Sequence, residues 1–251
     1  MGGQYIEPML ALPRKRSTST QGRWPRLCEL CRSWADRSIC SDCVARLAAP
    51  RPRCRRCALP LGSPEEHCAD CLRDPPAFER CHALGDYGYP WDGLIKAFKF
   101  HGRVDLAGPL AVALADRLAG EDLAPVDLVL SVPLSPARLR ERGHNQAWEI
   151  ARRVAAVRGL PADAHCLRRL RDTAHQVGLT RRERAANLRD AFWVPPECGA
   201  QVRHRRVALV DDVLTTGVTA SAASRALLAA GASQVQLWVL ARTPAPADAD
   251  G

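Results

Sequence analysis

Two sets of residues in this sequence have the types and spacing that chemistry requires. The first is Asp211-Asp212-Val213-Leu214-Thr215-Thr216-Gly217-Val218-Thr219, preceded by the apolar run Val207-Ala208-Leu209-Val210. An apolar strand here delivers two carboxylates at its carboxyl end, and a Thr-Thr-Gly loop opens a helix near Ala220. Loop amides at a helix start form an anion nest, and the helix dipole reinforces it. Gly217 permits close backbone approach, while the hydroxyls of Thr215, Thr216 and Thr219 donate hydrogen bonds. Paired carboxylates accept hydrogen bonds from two neighbouring ribose hydroxyls. The plainer alternative is a strand-to-loop turn with surface aspartates, and it leaves the agreement of strand, acids, loop and helix unexplained.

The second set is cysteine. Eight of the 11 cysteines fall in C-x-x-C pairs: Cys28/Cys31, Cys40/Cys43, Cys54/Cys57 and Cys68/Cys71. Each pair lets two thiolates reach one ion, and two pairs complete a tetrahedral site, so eight ligands suit two structural zinc ions. Sequential pairing into two short zinc ribbons is favoured, although spacing alone also permits an interleaved, cross-braced module. A disulfide framework needs an oxidising compartment, a thioredoxin-like dithiol needs a βαβ context, and iron–sulfur ligation remains a lesser alternative. Neither His nor carboxylate marks an open, catalytic coordination position, and His67 is read as a bystander. Cys81 and Cys166 read as small core residues, and neither they nor Cys198 has the basic neighbour of a nucleophile.

The elements that must position these groups can be read from hydrophobic periodicity. Strands are expected at 83–87, 126–132, 192–194, 206–213 and 235–241, and helices at 91–100, 106–118, 146–157, 184–188 and 220–230, with Gly231 as a cap. Strand–helix alternation of this kind predicts an α/β domain with a mainly parallel sheet flanked by helices. Ligands of such sheets bind beyond the carboxyl ends of the strands. The expected organisation is a disordered basic tail over 1–23, a small zinc-ribbon module over 24–78, the α/β domain over 79–243 and a second disordered tail over 244–251.

The formal net charge of +9, mostly arginine, fits an anionic partner such as a phosphorylated small molecule or nucleic acid. Aromatics make up only 5% of the chain, which leaves direct nucleic-acid readout without support. No apolar run is long enough to cross a bilayer, and the first residues lack a secretory signal, so cytoplasmic residence is expected.

The segment around Asp211 and Asp212 closely resembles the motif by which type I phosphoribosyltransferases bind phosphoribosyl pyrophosphate (PRPP). With the cysteine pairs, the resemblance narrows to the ComF-type family of competence-associated phosphoribosyltransferase-like proteins. It also covers Ile95-Lys96-Ala97-Phe98-Lys99-Phe100, Arg142-Gly143-His144-Asn145-Gln146 and Leu240-Ala241-Arg242-Thr243, with His144 standing where the family often has Phe. The resemblance implies a phosphoribosyltransferase-type fold in which Asp211 and Asp212 meet the ribose hydroxyls, directly or through Mg²⁺. It implies that residues 215–219 cradle the 5′-phosphate. Ser131, Val132, Pro133, Leu134 and Ser135 would form the pyrophosphate loop, with Arg142, Asn145 and Gln146 binding pyrophosphate or ordering that loop. For Arg142 a solvated charge at a helix start is an equal alternative. Residues 168–187, with Arg171, Gln176, Arg182 and Arg184, match a flexible loop that closes over PRPP. Lys96 and Lys99 read as a solvated helix face.

Three functions follow from the resemblance: transfer of a phosphoribosyl group with release of pyrophosphate, binding of PRPP or a nucleotide without transfer, and single-stranded DNA binding in DNA uptake. The sequence names neither an acceptor nor a general base, nor an oligomeric state. The cysteine module is expected either beside the PRPP site as its hood or on the far side for another partner, such as a DNA-uptake protein.

Overall fold

A computed structural model describes residues 25–63, 66–121, 123–170 and 191–244. The amino-terminal part carries two short antiparallel strands, β1 (Arg26–Leu27) and β2 (Trp34–Ala35), and two short helices, α1 (Ser41–Leu47) and α2 (Ala69–Arg73). The larger part is built on a four-stranded sheet in the order β3 (Arg80–Asp86), β8 (Gln234–Arg242), β7 (Arg206–Leu214), β4 (Leu128–Ser131). Every pairing within it is parallel. A small antiparallel arm, β5 (Arg168–Arg169) with β6 (Phe192–Trp193), stands apart from it.

Alternation along the central strands explains the layers. Successive strand residues point to opposite faces, and both faces here are apolar. Val207 and Leu209 of β7, with Leu237 and Val239 of β8, pack against α8 (Val218–Ala229) and the β6 arm. Ala208 and Val210, with Trp238 and Leu240, pack against α3 (Trp91–Phe100), α4 (Ala107–Ala119) and α6 (Gln146–Arg158). Two further helices, α5 (Pro136–Arg142) and the short α7 (Gly199–Val202), complete the described residues.

The expected strands and helices that fall within the described residues are found with small shifts of their ends; β1, β2, β5, α1, α2 and α7 are additional short elements, and so is α5. Its residues, Pro-Ala-Arg-Leu-Arg-Glu-Arg, are polar and bury no side chain, so they show no apolar face. Ser135 nevertheless caps this helix by accepting from the Arg138 amide, and Pro136 holds its first position. The expected helix at 184–188 lies outside the described residues, as do most of the two tails.

Cysteine module and sheet share their cores. Ile39 and Ala48 join the cluster beneath α3 and α4, whereas Ala58 and Phe78 join the cluster beneath α8. The key fitting is at Trp91, the first residue of α3. Its indole donates to the Leu47 carbonyl at 2.8 Å and packs against Gly85, where a Cβ would come within 2.9 Å of the indole nitrogen. Gly93, by contrast, faces open space inside the same helix. The substitution Gly85→Ala should therefore destabilise the fold by roughly 1–3 kcal/mol through overpacking. Gly93→Ala should be neutral or stabilising by up to about 1 kcal/mol through helix propensity. Urea unfolding midpoints of the two variants provide the check, and equal midpoints would remove the indole contact from this account.

Candidate functional site

Parallel pairing brings the chemistry-bearing segments to one edge. β4 and β7 are adjacent and in register at Ser131 and Val210, so the loop after Ser131 and the pair Asp211-Asp212 emerge side by side. β7 extends to Leu214, and Gly217 then opens α8 in the left-handed region at φ 78°. Thr215 and Thr216 are exposed between them. The first intrahelical bond of α8 runs from the Ser221 amide to the Gly217 carbonyl. The amides of Val218, Thr219 and Ala220 thus have no intrahelical acceptor and carry the positive end of a 12-residue helix.

The two carboxylates differ. Asp212 is buried and pairs with the Lys99 ammonium at 2.7 Å. Asp211 accepts from the Asp212 amide at 2.8 Å. Desolvation, and then the charge of Asp212, push the Asp211 carboxyl up to about 7, while Lys99 and Arg142 pull the other way. Two adjacent acids are therefore balanced by a cation that sequence reading had assigned to solvent. Lys96 behaves as expected, being half-exposed and paired with Asp92 one turn back. Lys99 does not, because α3 lies across the sheet with its last turn directed at the acid pair.

Arg142 ends α5 rather than starting a helix. Its guanidinium lies 4.9 Å from the Phe100 ring centroid and donates to the buried Gln146 side chain at 3.1 Å. Asn145 caps α6 by accepting from the amides of Ala147 and Trp148, and its Nδ2 donates to the Val132 carbonyl. Asn145 thus ties the start of α6 to Val132 of the loop, while Gln146 accepts from Arg142. Ser131 and Ser135 are buried, and Val132, Pro133 and Leu134 lie between them. Arg171, Gln176, Arg182 and Arg184 lie outside the described residues. Arg168 and Arg169, which begin the expected flexible loop, form β5 instead.

The cysteines gather sequentially into two tetrads, Cys28/Cys31/Cys40/Cys43 and Cys54/Cys57/Cys68/Cys71, each with its sulfurs within 4.8 Å of one another. Sulfur separations are 3.8 Å for Cys28–Cys43, 3.8 Å for Cys31–Cys40 and 3.7 Å for Cys57–Cys68. A tetrahedron with metal–sulfur bonds of about 2.3 Å has edges of about 3.8 Å, so the donor set fits zinc. The two knuckles repeat one backbone: Arg32 and Ala58, each four residues after the first cysteine, take the left-handed conformation and donate back to the carbonyls of Cys28 and Cys54. His67 is outside both tetrads. Cys166 is buried as expected, but it is not a lone core thiol: it forms a disulfide with Cys198 across a Cα–Cα distance of 5.2 Å. Spacing in sequence, 32 residues, gave no signal of that pair.

The first tetrad packs towards α3 and α4, through Glu29 with Arg103 at 2.8 Å and Arg37 with Asp116 at 2.7 Å. The second tetrad packs at the carboxyl edge of the sheet. Arg51 and Arg53 reach Asp86 at the end of β3, and Arg242 at the end of β8 donates to the Cys57 carbonyl at 2.9 Å. Of the two positions foreseen for the module, this places its second half on the same edge as Asp211 and Asp212.

Comparison with known proteins adds three findings. The double zinc ribbon domain family matches residues 22–72. DNA utilization protein YhgH of Salmonella typhimurium is 36% identical over 231 residues, covering 87% of this chain and 98% of that protein. Competence protein F of Haemophilus influenzae is 33% identical over 177 residues, covering 69% and 77% respectively. Among solved structures, a glutamine PRPP amidotransferase from B. subtilis overlaps 58% of this chain with 20% identity and a TM-score of 0.40. The chain spans under a third of that protein's length, 30%.

The Lys99 ion pair makes a prediction that needs no ligand. Lys99→Met removes the cation nearest the pair, so the Asp211 carboxyl should move further above its value of about 7. Carbon-detected NMR titration of the carboxyl groups reads this directly. An unmoved Asp211 titration would mean that the ion pair does not govern the site.

Proposed function

Because the chain belongs to the family of DNA utilization protein YhgH and competence protein F, we propose that it binds PRPP at the carboxyl edge of β7, in the service of DNA uptake or utilisation. One observation carries the reading: a buried strand bears two carboxylates near its carboxyl end at Leu214 and is followed, after Thr215 and Thr216, by the helix-start amides that Gly217 opens. The helix start suits a 5′-phosphate, and the acid pair one loop away suits the two ribose hydroxyls. Residues 131–135 then stand where pyrophosphate would lie, with Arg142 as the adjacent cation. Mg²⁺ fits the same place, since an acid whose ionisation is opposed by burial and by its neighbour gains from added positive charge. It would be held through Asp211 and the ligand's own oxygens, and would supply charge neutralisation of the pyrophosphate.

Transfer of the phosphoribosyl group is the further activity this site offers. In that reaction the bond from C1′ to pyrophosphate breaks as an acceptor nucleophile bonds to C1′. Arg142 would steady the departing charge, and the second zinc ribbon would shield the centre from water. A second reading, single-stranded DNA binding, draws on the net charge of +9 and on the relatives' names. No described helix is long and apolar enough to cross a membrane.

Calorimetry with PRPP and Mg²⁺ should show binding that Asp211→Ala with Asp212→Ala weakens by about 2–4 kcal/mol, the loss of two charge-assisted hydrogen bonds without full additivity. The sign of the pH dependence follows from Asp211. Its carboxylate accepts from a hydroxyl more strongly, and attracts Mg²⁺, once ionised, and it ionises around pH 7, so binding should strengthen between pH 6 and pH 8. Asp211→Asn should lose that step and keep only the contribution of the phosphate's second ionisation near pH ~6. Unchanged binding in the double variant would misplace the site. Single-stranded DNA binding that survives the double variant and falls steeply with salt would assign the positive charge to nucleic acid instead.

Each tetrad is proposed to hold one zinc ion. Elemental analysis of the purified protein should return two zinc ions per chain, one for each cluster of four sulfurs. Chelation should loosen the amino-terminal part while the four-stranded sheet persists, since small metal modules depend on their ion to fold. Iron, or protein free of metal that keeps both knuckles, would refute the assignment.

A further inference from the structure

The second cysteine tetrad and the phosphate loop share one side chain. Arg242 closes β8 directly opposite Leu214, the last residue of β7. Its Nε donates to the carbonyl of Cys57, a member of the tetrad, at 2.9 Å. Its Nη1 donates to the carbonyl of Leu214 at 3.2 Å, and also to that of Thr243. The Thr243 amide reaches the same Leu214 carbonyl at 3.0 Å. Leu214 is the residue from which the loop of Thr215, Thr216 and Gly217 departs.

The far end of that loop is tied to the same module. Phe78, 1% exposed, packs under Gly217, where a Cβ would meet its ring at 3.9 Å. The Ala77 amide donates at 3.0 Å to the Ser221 hydroxyl, in the first turn of α8. Both residues belong to the stretch that follows α2 and its ligand Cys71. The loop is thus bracketed by contacts that begin at the second tetrad.

The chemistry of Arg242 suits a bracket. A guanidinium is a planar fork of donors that keeps its charge at any ordinary pH, so it can hold two carbonyls in fixed relation. Asp86, its register partner on β3, is occupied by Arg51 at 2.5 Å and Arg53 at 2.8 Å. Those two arginines belong to the module, and they leave the fork of Arg242 to the carbonyls.

We propose that Arg242 is a positioning residue that locks the start of the phosphate loop to the second zinc knuckle, so that the knuckle's metal-held backbone sets the loop's geometry. The inference rests on the reading of residues 215–219 as a phosphate loop. Its test is chosen to be independent of PRPP.

Hydrogen exchange of residues 214–221 is measured by mass spectrometry on the full chain with no nucleotide added. Arg242→Gln should speed exchange there about tenfold or more, by removing charge-assisted bonds that hold a locally opening segment. Arg242→Lys keeps the charge but not the fork, and should speed it as well. Cys68→Ser, which removes one sulfur of the second tetrad, should reproduce the effect, whereas Cys31→Ser in the first tetrad should leave residues 214–221 at the wild-type rate. Exchange in β4 and α6, whose residues make none of the Arg242 hydrogen bonds, should stay unchanged in the two Arg242 variants, which separates positioning from general loss of stability. Wild-type exchange at 214–221 in Arg242→Gln, or equal acceleration in Cys31→Ser and Cys68→Ser, overturns the proposal. A failure of PRPP binding in calorimetry would instead strike the functional reading alone.

Discussion

Two adjacent carboxylates at the end of a buried strand repel each other and resist ionising where water is scarce, so their coexistence depends on a neighbouring cation. Here that cation is Lys99, 2.7 Å from Asp212. The ion pair divides the acids by role. Asp212 is buried and neutralised from within, and Asp211 is left with its ionisation displaced upward. Of the two, Asp211 gains the more from added positive charge, because its ionisation is opposed by burial and by its neighbour. Without Lys99 both acids would meet the same electrostatic obstacle, and the edge of the sheet would favour protonated acids over a polar ligand.

The Lys99 ammonium is only as well placed as the helix that carries it, and α3 is aligned from its other end. Trp91 opens α3 with its indole bonded to the Leu47 carbonyl, and Leu47 ends the helix that begins one residue after Cys40. The line of contact therefore runs from the first tetrad through α1, Trp91 and α3 to Asp212. A separate line runs from the second tetrad through Arg242 to Leu214 and the phosphate loop. In the proposed function the two knuckles support different halves of one site: the first the acid pair, the second the loop of Thr215, Thr216 and Gly217. Such an arrangement explains why the two clusters, so alike in backbone, pack against different surfaces of the sheet.

The parts of this fold that were legible in the sequence are those dictated by local chemistry. Strand β7 is legible through an unbroken apolar run, α6 through its hydrophobic periodicity, and the tetrads through ligand spacing. What remained illegible was long-range. Lys99 lies 113 positions before Asp212, and Arg242 lies 185 positions from Cys57, the separation of their hydrogen bond. No period or motif encodes such meetings, because they arise only once parallel strands bring distant chain ends to one edge. Helix α5 was missed for the opposite reason: its residues pack little, so hydrophobic periodicity had nothing to report. Cys166 and Cys198 illustrate both limits, being apolar in context and joined only by the fold.

The proposed use of metal knuckles to hold an anion site follows from size. Between Pro25 and Phe78 the chain has too few apolar residues to build a core of its own, and the buried groups of the second tetrad are largely its cysteines. Four sulfurs converging on one ion restrict the backbone on both sides of each cysteine, which makes the Cys57 carbonyl a fixed acceptor despite its place in a small module. Arg242 converts that fixed point into a constraint on Leu214, one residue before the loop begins. Rigidity is thereby supplied where a phosphate would need preorganised amides: coordination chemistry fixes the module's side of the contact, and the core cluster of Phe78, Leu214 and Val218 buries the other.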